Sequence, residues 1–205
     1  MTDKITIAPL DAVGIEDVGP LWKALMDHVA ALPDGLVPVR PSGESWVLER
    51  AVMQEALAGE AFVLVARRRA EPVGYAFVTI DGPDPVWYTG DSSAELAHLV
   101  VAERERGNGV GSALLDAVDA ELERRGVEDV EIGVDTGNDD AARLYESRGY
   151  RADFRIFYGS PGRKAWACLR REEADRKAGR GRFAPPEAGP DSAPGPGTRP
   201  NPETT

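Results

Sequence analysis

The chain has 205 residues, room for one ordinary domain, and its 42% apolar and 29% charged content reads as a soluble globular protein. No apolar run approaches the roughly 18 residues that would span a bilayer, and Met1–Leu10 shows no basic cluster or long apolar stretch of secretory type. A formal charge of −11, from 24 basic against 35 acidic residues, argues against nucleic acid or an anionic membrane as partner. Cys168 is the sole cysteine, which excludes an internal disulfide or a cysteine metal cage and fits a reducing cytoplasm.

In chain order, Lys4–Ala8 reads as a short strand. A helix follows over Asp17–Ala31, with Asp17 as cap, Pro20 in the first turn and Leu21, Leu25, Met26 and Val29 on one face. Pro33, Gly35, Pro38 and Pro41 enforce a loop. A second helix spans Glu44–Ala58, with Trp46, Val47, Ala51 and Leu57 toward the core. Ala61–Ala66 and Val73–Ile80 form a hairpin around a polar turn. Gly82–Asp91, with Trp87 and Tyr88, is a loop or edge segment, and Ala94–Ala102 is a strand.

Gly107, Gly109 and Gly111 then lie between that strand and a helix with Val110, Ala113, Leu114, Ala117, Val118 and Leu122 along one stripe, stopped by Gly126. Val127–Val134 is strand-like, and Asn138–Arg148 is a short helix ended by Gly149. Arg151–Phe157 and Lys164–Leu169 read as a last hairpin. From Arg171 the chain is charged, and Phe183–Thr205, with seven prolines and three glycines, lacks the apolar content to order itself. The expected organisation is a mixed α/β domain over 1–170 and a disordered tail over 171–205.

Closely spaced glycines between a strand and a helix start expose main-chain N–H groups at the positive end of the helix dipole, an arrangement that binds phosphate. Arg104 and Arg106 add positive charge there. A P-loop would need a lysine before Ser112, and the dinucleotide fingerprint fits in neither phase of the glycines. What fits is Arg106-x-x-Gly109-x-Gly111 after the strand Leu96–Val101. About 35 residues on comes Asn138-x-x-Ala141-x-x-Leu144-Tyr145-x-x-x-Gly149-Tyr150.

These two motifs, in this order, resemble those of the GCN5-related N-acetyltransferase (GNAT) superfamily. The likeness is specific from about Glu95 to Tyr150. It implies a central mixed, mostly antiparallel sheet whose fourth and fifth strands splay apart, with flanking helices. It implies acetyl-CoA as cofactor: the main chain of Leu99, Val100 and Val101 would meet the pantetheine arm, and Arg106, Gly107, Asn108, Gly109, Val110, Gly111 and Ser112 the pyrophosphate. Asn138 and Tyr145 would lie near the sulfur.

An amine of lysine type must lose a proton near pKa ~10.4 before it attacks a thioester, and the departing thiolate leaves more easily if protonated. Tyr145 is assigned the general-acid role. Glu95, expected by strand period to share a face with Ala97, Leu99 and Val101, is the candidate base, directly or through water. His98 falls on the face opposite Leu99.

The expected activity is acyl-CoA-dependent transfer, most simply of acetyl, to an amine of a small-molecule or peptide acceptor in a ternary complex. The lone Cys168 disfavours an acyl-cysteine route, and no metal is implied. Aromatic residues in the expected acceptor loops and the acidic body point to an amine-bearing acceptor. Two other readings stay open: a non-catalytic acyl-CoA-binding module, and a domain that carries a partner-docking proline-rich tail. Either a monomer or a homodimer fits.

Overall fold

The computed structural model describes residues 4–32, 39–86, 90–153 and 156. All fall within residues 1–160, one of two units into which the chain divides. The expected last hairpin (apart from Arg151–Asp153 and Ile156), Cys168, the boundary near Arg171 and the tail lie outside the described residues. So do Trp87 and Tyr88.

Five strands form one sheet in the order of the chain: β1 Ile5–Leu10, β2 Phe62–Arg68, β3 Glu71–Asp81, β4 Ser93–Val101 and β5 Asp129–Glu131. The first three pairings are antiparallel and β4–β5 is parallel. This is the mixed, mostly antiparallel sheet the sequence implies. β2 and β3 are central and covered on both faces, which is why they read as continuous β-branched runs and not as alternating ones.

Among the described residues four helices flank the sheet: α1 Gly19–Ala31, α2 Ser42–Ala56, α3 Val110–Arg125 and α4 Asp139–Ser147. On one face, Leu114, Leu115, Val118 and Leu122 of α3 pack on Leu64, Ala66, Ala76, Val78 and Leu96, with Leu144 and Tyr145 of α4 at the margin. On the other face, Leu21 and Trp22 of α1 and Trp46 and Met53 of α2 cover Val63, Val65, Tyr75, Phe77 and Val100.

Several local expectations are corrected. A 3-10 turn over Gly14–Val18 precedes α1, so Asp17 lies in that turn and no side chain caps the helix. Asp17 instead accepts a hydrogen bond from Arg67 of β2 at 2.5 Å. In α2 the covered residues are Trp46 and Met53, seven apart, while Val47 is 58% exposed and Ala51 is also exposed. The sheet accepts one narrow stripe of that helix, not the wide face the composition suggests. β5 is three residues long because its pairing to β4 ends at Glu131.

A bulge in β4 has the largest consequence for the site. Phe77 pairs with His98 but Val78 pairs with Leu96, so Ala97 is an extra residue. The register places Ala94, Leu96, Leu99 and Val101 on the α3 face, and Glu95, Ala97, His98 and Val100 on the α1/α2 face. Glu95 therefore does not share a face with Leu99 and Val101, contrary to the two-residue period.

Close docking of α3 depends on Gly74. A Cβ there would stand 2.7 Å from the Val100 carbonyl oxygen and 3.2 and 3.3 Å from Leu114 and Val110. Gly74→Ala is expected to lower stability by about 1–3 kcal/mol, read as a drop in Tm, because the clash is with backbone that cannot swing aside.

Candidate functional site

β4 and β5 bond to each other only over Ser93–Glu95 and Asp129–Glu131. Beyond that point β4 runs on alone to Val101, so a gap opens between the two strands. The Ala102 amide donates to the Val73 carbonyl at 2.9 Å, and the Val100 carbonyl oxygen faces Gly74. Those two residues direct their main chain at β3. Alternation then turns the N–H and C=O groups of Leu99 and Val101 toward the gap. Val100 differs from the sequence expectation, since its main chain serves the sheet and its side chain the core.

At the end of β4 the chain makes a 3-10 turn, Glu103–Glu105, and enters the glycine loop. Gly107 and Gly109 have φ of 75° and 78°, and a Cβ on either would meet nothing within 4 Å. The glycines are there for the backbone conformation and leave an open concave surface. Gly109 sits at the N-cap position of α3, and no side chain caps that end. The amides of Val110, Gly111 and Ser112 have no partner inside the helix, and Gly107 and Gly109 make no main-chain bond through nitrogen either. Five amides without a main-chain acceptor among the described residues thus lie within six positions at the positive end of a 16-residue helix. Asn108, by contrast, donates its amide to the Glu105 carbonyl at 3.3 Å.

The loop is anchored by a pair the sequence did not reveal. Glu105, 9% exposed, accepts two hydrogen bonds from Arg68 of β2, at 3.1 and 2.9 Å. The partners are 37 residues apart, so no local pattern announces them. Arg104 bonds to Glu71 at 2.5 Å, and of the two arginines expected beside the loop only Arg106 is left to face an anion there.

α4 places Tyr145. Asn138 caps this helix, its Oδ1 accepting from the Ala141 amide at 3.3 Å. At the other end Arg148 bridges to Asp116 and, at 3.2 Å, to Asp119 of α3. Leu144 comes down beside the loop: the position of a Cβ on Gly111 is 3.4 Å from Leu144 and 3.6 Å from Val101. The end of β4, the start of α3 and the segment next to Tyr145 thus meet at Gly111. Tyr145 packs edge-on to Tyr150, ring centroids 5.9 Å apart, and burial followed by the neighbouring Tyr150 pushes its phenol up to about 12.

Glu95 lies elsewhere, at the last paired position of β4, roughly 10 Å along the strand from Leu99, since the bulge leaves only three steps of β3 between their partners. It stands on the α1/α2 face in a row with Thr79 and Glu131, and Asp81, Ser93 and Asp129 make the next row. These acids line a cavity of about 460 Å³. Burial, then Glu131 and Asp81, hold the Glu95 carboxyl above the ordinary range. On the same face His98 is surrounded by Trp22, Phe77 and Tyr75, and burial pulls its imidazole down to about 4.

Comparison with known proteins decides the family. Residues 23–150 match the model of the acetyltransferase (GNAT) family. The chain belongs to that family. A mycothiol acetyltransferase of Thermobispora bispora is 34% identical over 119 residues, covering 54% of this chain and 37% of that protein. The chain thus aligns with little more than a third of that curated relative's length. A GCN5-related N-acetyltransferase structure from Ralstonia eutropha superposes with a TM-score of 0.64 at 18% identity, over 78% of this chain and 100% of that one. An aminoglycoside N-acetyltransferase solved with CoA gives 0.60 at 15% identity, over 78% and 96%. These structures establish the fold, and the family's general chemistry is acyl-CoA-dependent acetyl transfer.

Among the described residues no helix is long and apolar enough to cross a membrane, and no group of three or more His, Cys, Asp or Glu could hold a metal ion. The residues at the glycine loop fit a nucleotide pyrophosphate, since five free amides in an open concave turn are a ready anion cradle. Glu105→Ala removes the buried acceptor that ties the loop to Arg68 of β2. It is expected to lower Tm and to weaken CoA binding measured by calorimetry.

Proposed function

We propose that this chain transfers acetyl from acetyl-CoA to an amine of a small-molecule or peptide acceptor, by direct attack in a ternary complex. One observation carries the reading: the open amides from Gly107 to Ser112 stand at the same end of the sheet as the gap-facing main chain of Leu99 and Val101. A pyrophosphate on the loop lets a pantetheine arm run along β4 between the splayed strands. Acetyl-CoA would supply an acetyl group already activated as a thioester.

The chain's own residues then manage protons. The phenol of Tyr145 stays protonated across the neutral range and holds a proton at Oη to give to the leaving sulfur. Its helix flanks the α3 face, whereas Glu95 stands on the α1/α2 face, so donor and base sit on opposite sides of the gap. Glu95 Oε accepts the amine's proton. At roughly 10 Å along the strand from Leu99 it does so through water. Its raised pKa brings it nearer to the amine than an ordinary carboxylate. Asn138 contributes by fixing the start of α4.

We take the catalytic unit as residues 1–170, with 171–205 dispensable for cofactor binding, in a cytoplasmic setting. A non-catalytic acyl-CoA-binding module shares the loop, and turnover separates the two readings. Calorimetry with CoA and thiol release from acetyl-CoA over an amine panel test the proposal. Binding without release across a broad panel favours the module.

Tyr145→Phe is expected to lower turnover about 10²-fold while CoA affinity moves little; unchanged turnover would make Tyr145 a packing residue. Glu95→Gln is expected to lower the rate about 10-fold or more at neutral pH, with recovery as pH rises toward the amine's own pKa, near ~10.4 for a lysine-type acceptor. The sign follows from the role: a base is needed only while the free amine is scarce. A pH–rate profile of both proteins reads it.

A further inference from the structure

Beyond Glu95 the register of β4 is weakly specified by its apolar pattern. In the run Leu96–Val101 every residue except His98 is apolar. Each face of the sheet is an apolar core, under α3 on one side and under α1 and α2 on the other. Leucine, valine and alanine fit either. A strand buried on both faces gains little from hydrophobic patterning when it chooses between registers one residue apart.

Two such registers compete after Leu96. In the observed one Ala97 is extra, Phe77 pairs with His98, and Ala76, Tyr75 and Gly74 follow with Leu99, Val100 and Val101. Without the bulge, the pairing of Val78 with Leu96 would run on to set Phe77 opposite Ala97, Ala76 opposite His98 and Tyr75 opposite Leu99. Every side chain after Ala97 would then change face. The main chain would change sides as well: Leu99 and Val101 would bond to β3, and His98 and Val100 would turn to the gap.

His98 is the residue that tells these registers apart. On the α1/α2 face its Nδ1 is 3.4 Å from the Tyr75 hydroxyl, and its Nε2 is 3.4 Å from a carboxylate oxygen of Glu49 on α2. Its ring lies against Trp22 of α1 and Phe77 of β3, with centroids 4.5 and 5.2 Å away. Both ring nitrogens thus have a polar neighbour, each from a different element. In the other register the imidazole would enter the core that holds Leu64, Ala76, Val78 and Leu114, side chains that cannot hydrogen-bond. Leu99 would stand in its place before Tyr75 and Glu49. Buried polar groups would lose their partners on both sides of the sheet at once. The run itself does not reveal this, because only the partners on β3 and α2 make the histidine discriminating.

We propose that His98 is a positioning residue for the cofactor: its side chain fixes the register of β4 beyond Ala97, and that register makes Leu99 and Val101 the residues whose main chain meets the pantetheine arm. The imidazole acts only through the strand. This deepens the acetyltransferase reading and rests on it.

The test uses the full chain labelled with 15N, as wild type, His98→Leu and His98→Gln, with amide hydrogen exchange read along β4 in the absence of CoA. In the wild type Val100 is expected to be protected, and Leu99 and Val101 to exchange at least ~10-fold faster. His98→Leu fits either core, so a second set of signals is expected with the order inverted: Leu99 and Val101 protected, Val100 open. The CoA Kd from calorimetry should rise by the reciprocal of the fraction left in the native register, about 10-fold if a tenth remains, and KM for acetyl-CoA should follow while kcat moves less. His98→Gln keeps polar groups for Tyr75 and Glu49 and is expected to restore a single native set, with CoA affinity within ~3-fold of wild type. If His98→Leu does not fold, His98→Met, whose flexible chain adapts to either core, takes its place. An apolar variant that keeps the native order of protection overturns the proposal even if its Tm falls. So does an inverted order that leaves CoA affinity unchanged, or a His98→Gln variant that behaves like the apolar one. Absence of a calorimetric signal between CoA and the wild type would instead overturn the parent reading, and the CoA-free exchange keeps the two failures apart.

Discussion

Two parallel strands stop bonding after three residues. The free main chain at the end of β4 depends on that interruption. Had β5 continued alongside β4, the amides and carbonyls of Leu99 and Val101 would have been consumed in a ladder, and the sheet would have been closed where the cofactor must pass. The interruption leaves main-chain groups unpaired beside a core, which is tolerable only where water or a ligand can reach them. The same division assigns the faces. α3 and α4 own one side, with the glycine loop and Tyr145, and α1 and α2 own the other, with Glu95 and His98.

The bulge at Ala97 completes the division. Without it, strict alternation would bring Glu95 and Leu99 onto one face, and carboxylate, core and cofactor would compete for the same side of β4. With it, Leu96 and Leu99 both reach the α3 core although an odd number of positions separates them. Glu95 and His98 both turn to the α1/α2 face. One extra residue thus converts a core strand into one whose two halves present the right chemistry to each side.

Much of this was legible in the sequence because its signals are local. The three glycines, the stripe of α3, the Gly126 and Gly149 stops and the β2–β3 hairpin are each decided by a few neighbouring residues, and the structure reproduces them. What escaped is non-local. The bulge is set by pairing to β3, twenty residues away, and nothing in the run Ala94–Ala102 marks Ala97 as extra. The Arg68–Glu105 clamp and the Glu49–His98 contact join residues far apart in sequence. α2 was misread for a related reason: Val47 and Ala51 satisfy an apolar count, but the sheet receives only the line through Trp46 and Met53.

Electrostatics explains how an acidic chain can offer donors to an anion at one place while its carboxylates gather at another. The loop answers with dipoles: five amides and a helix terminus worth roughly half a positive charge act at contact distance. Arg104 is diverted to Glu71, and Arg106 is the remaining arginine of the pair expected there. Short-range donors of this kind are little affected by the −11 background, whose field is screened within about 8 Å at physiological salt. Across the sheet the same background is concentrated, with Asp81, Glu95, Asp129 and Glu131 in adjacent rows where β4 and β5 are still paired. Burial first, and then the neighbouring Glu131 and Asp81, hold the Glu95 carboxyl above its ordinary range, so the most basic carboxylate of the group is one the others surround. The sheet thus keeps the donor-rich loop on the α3 side apart from the crowded carboxylates of the α1/α2 face, so neither field cancels the other at contact distance.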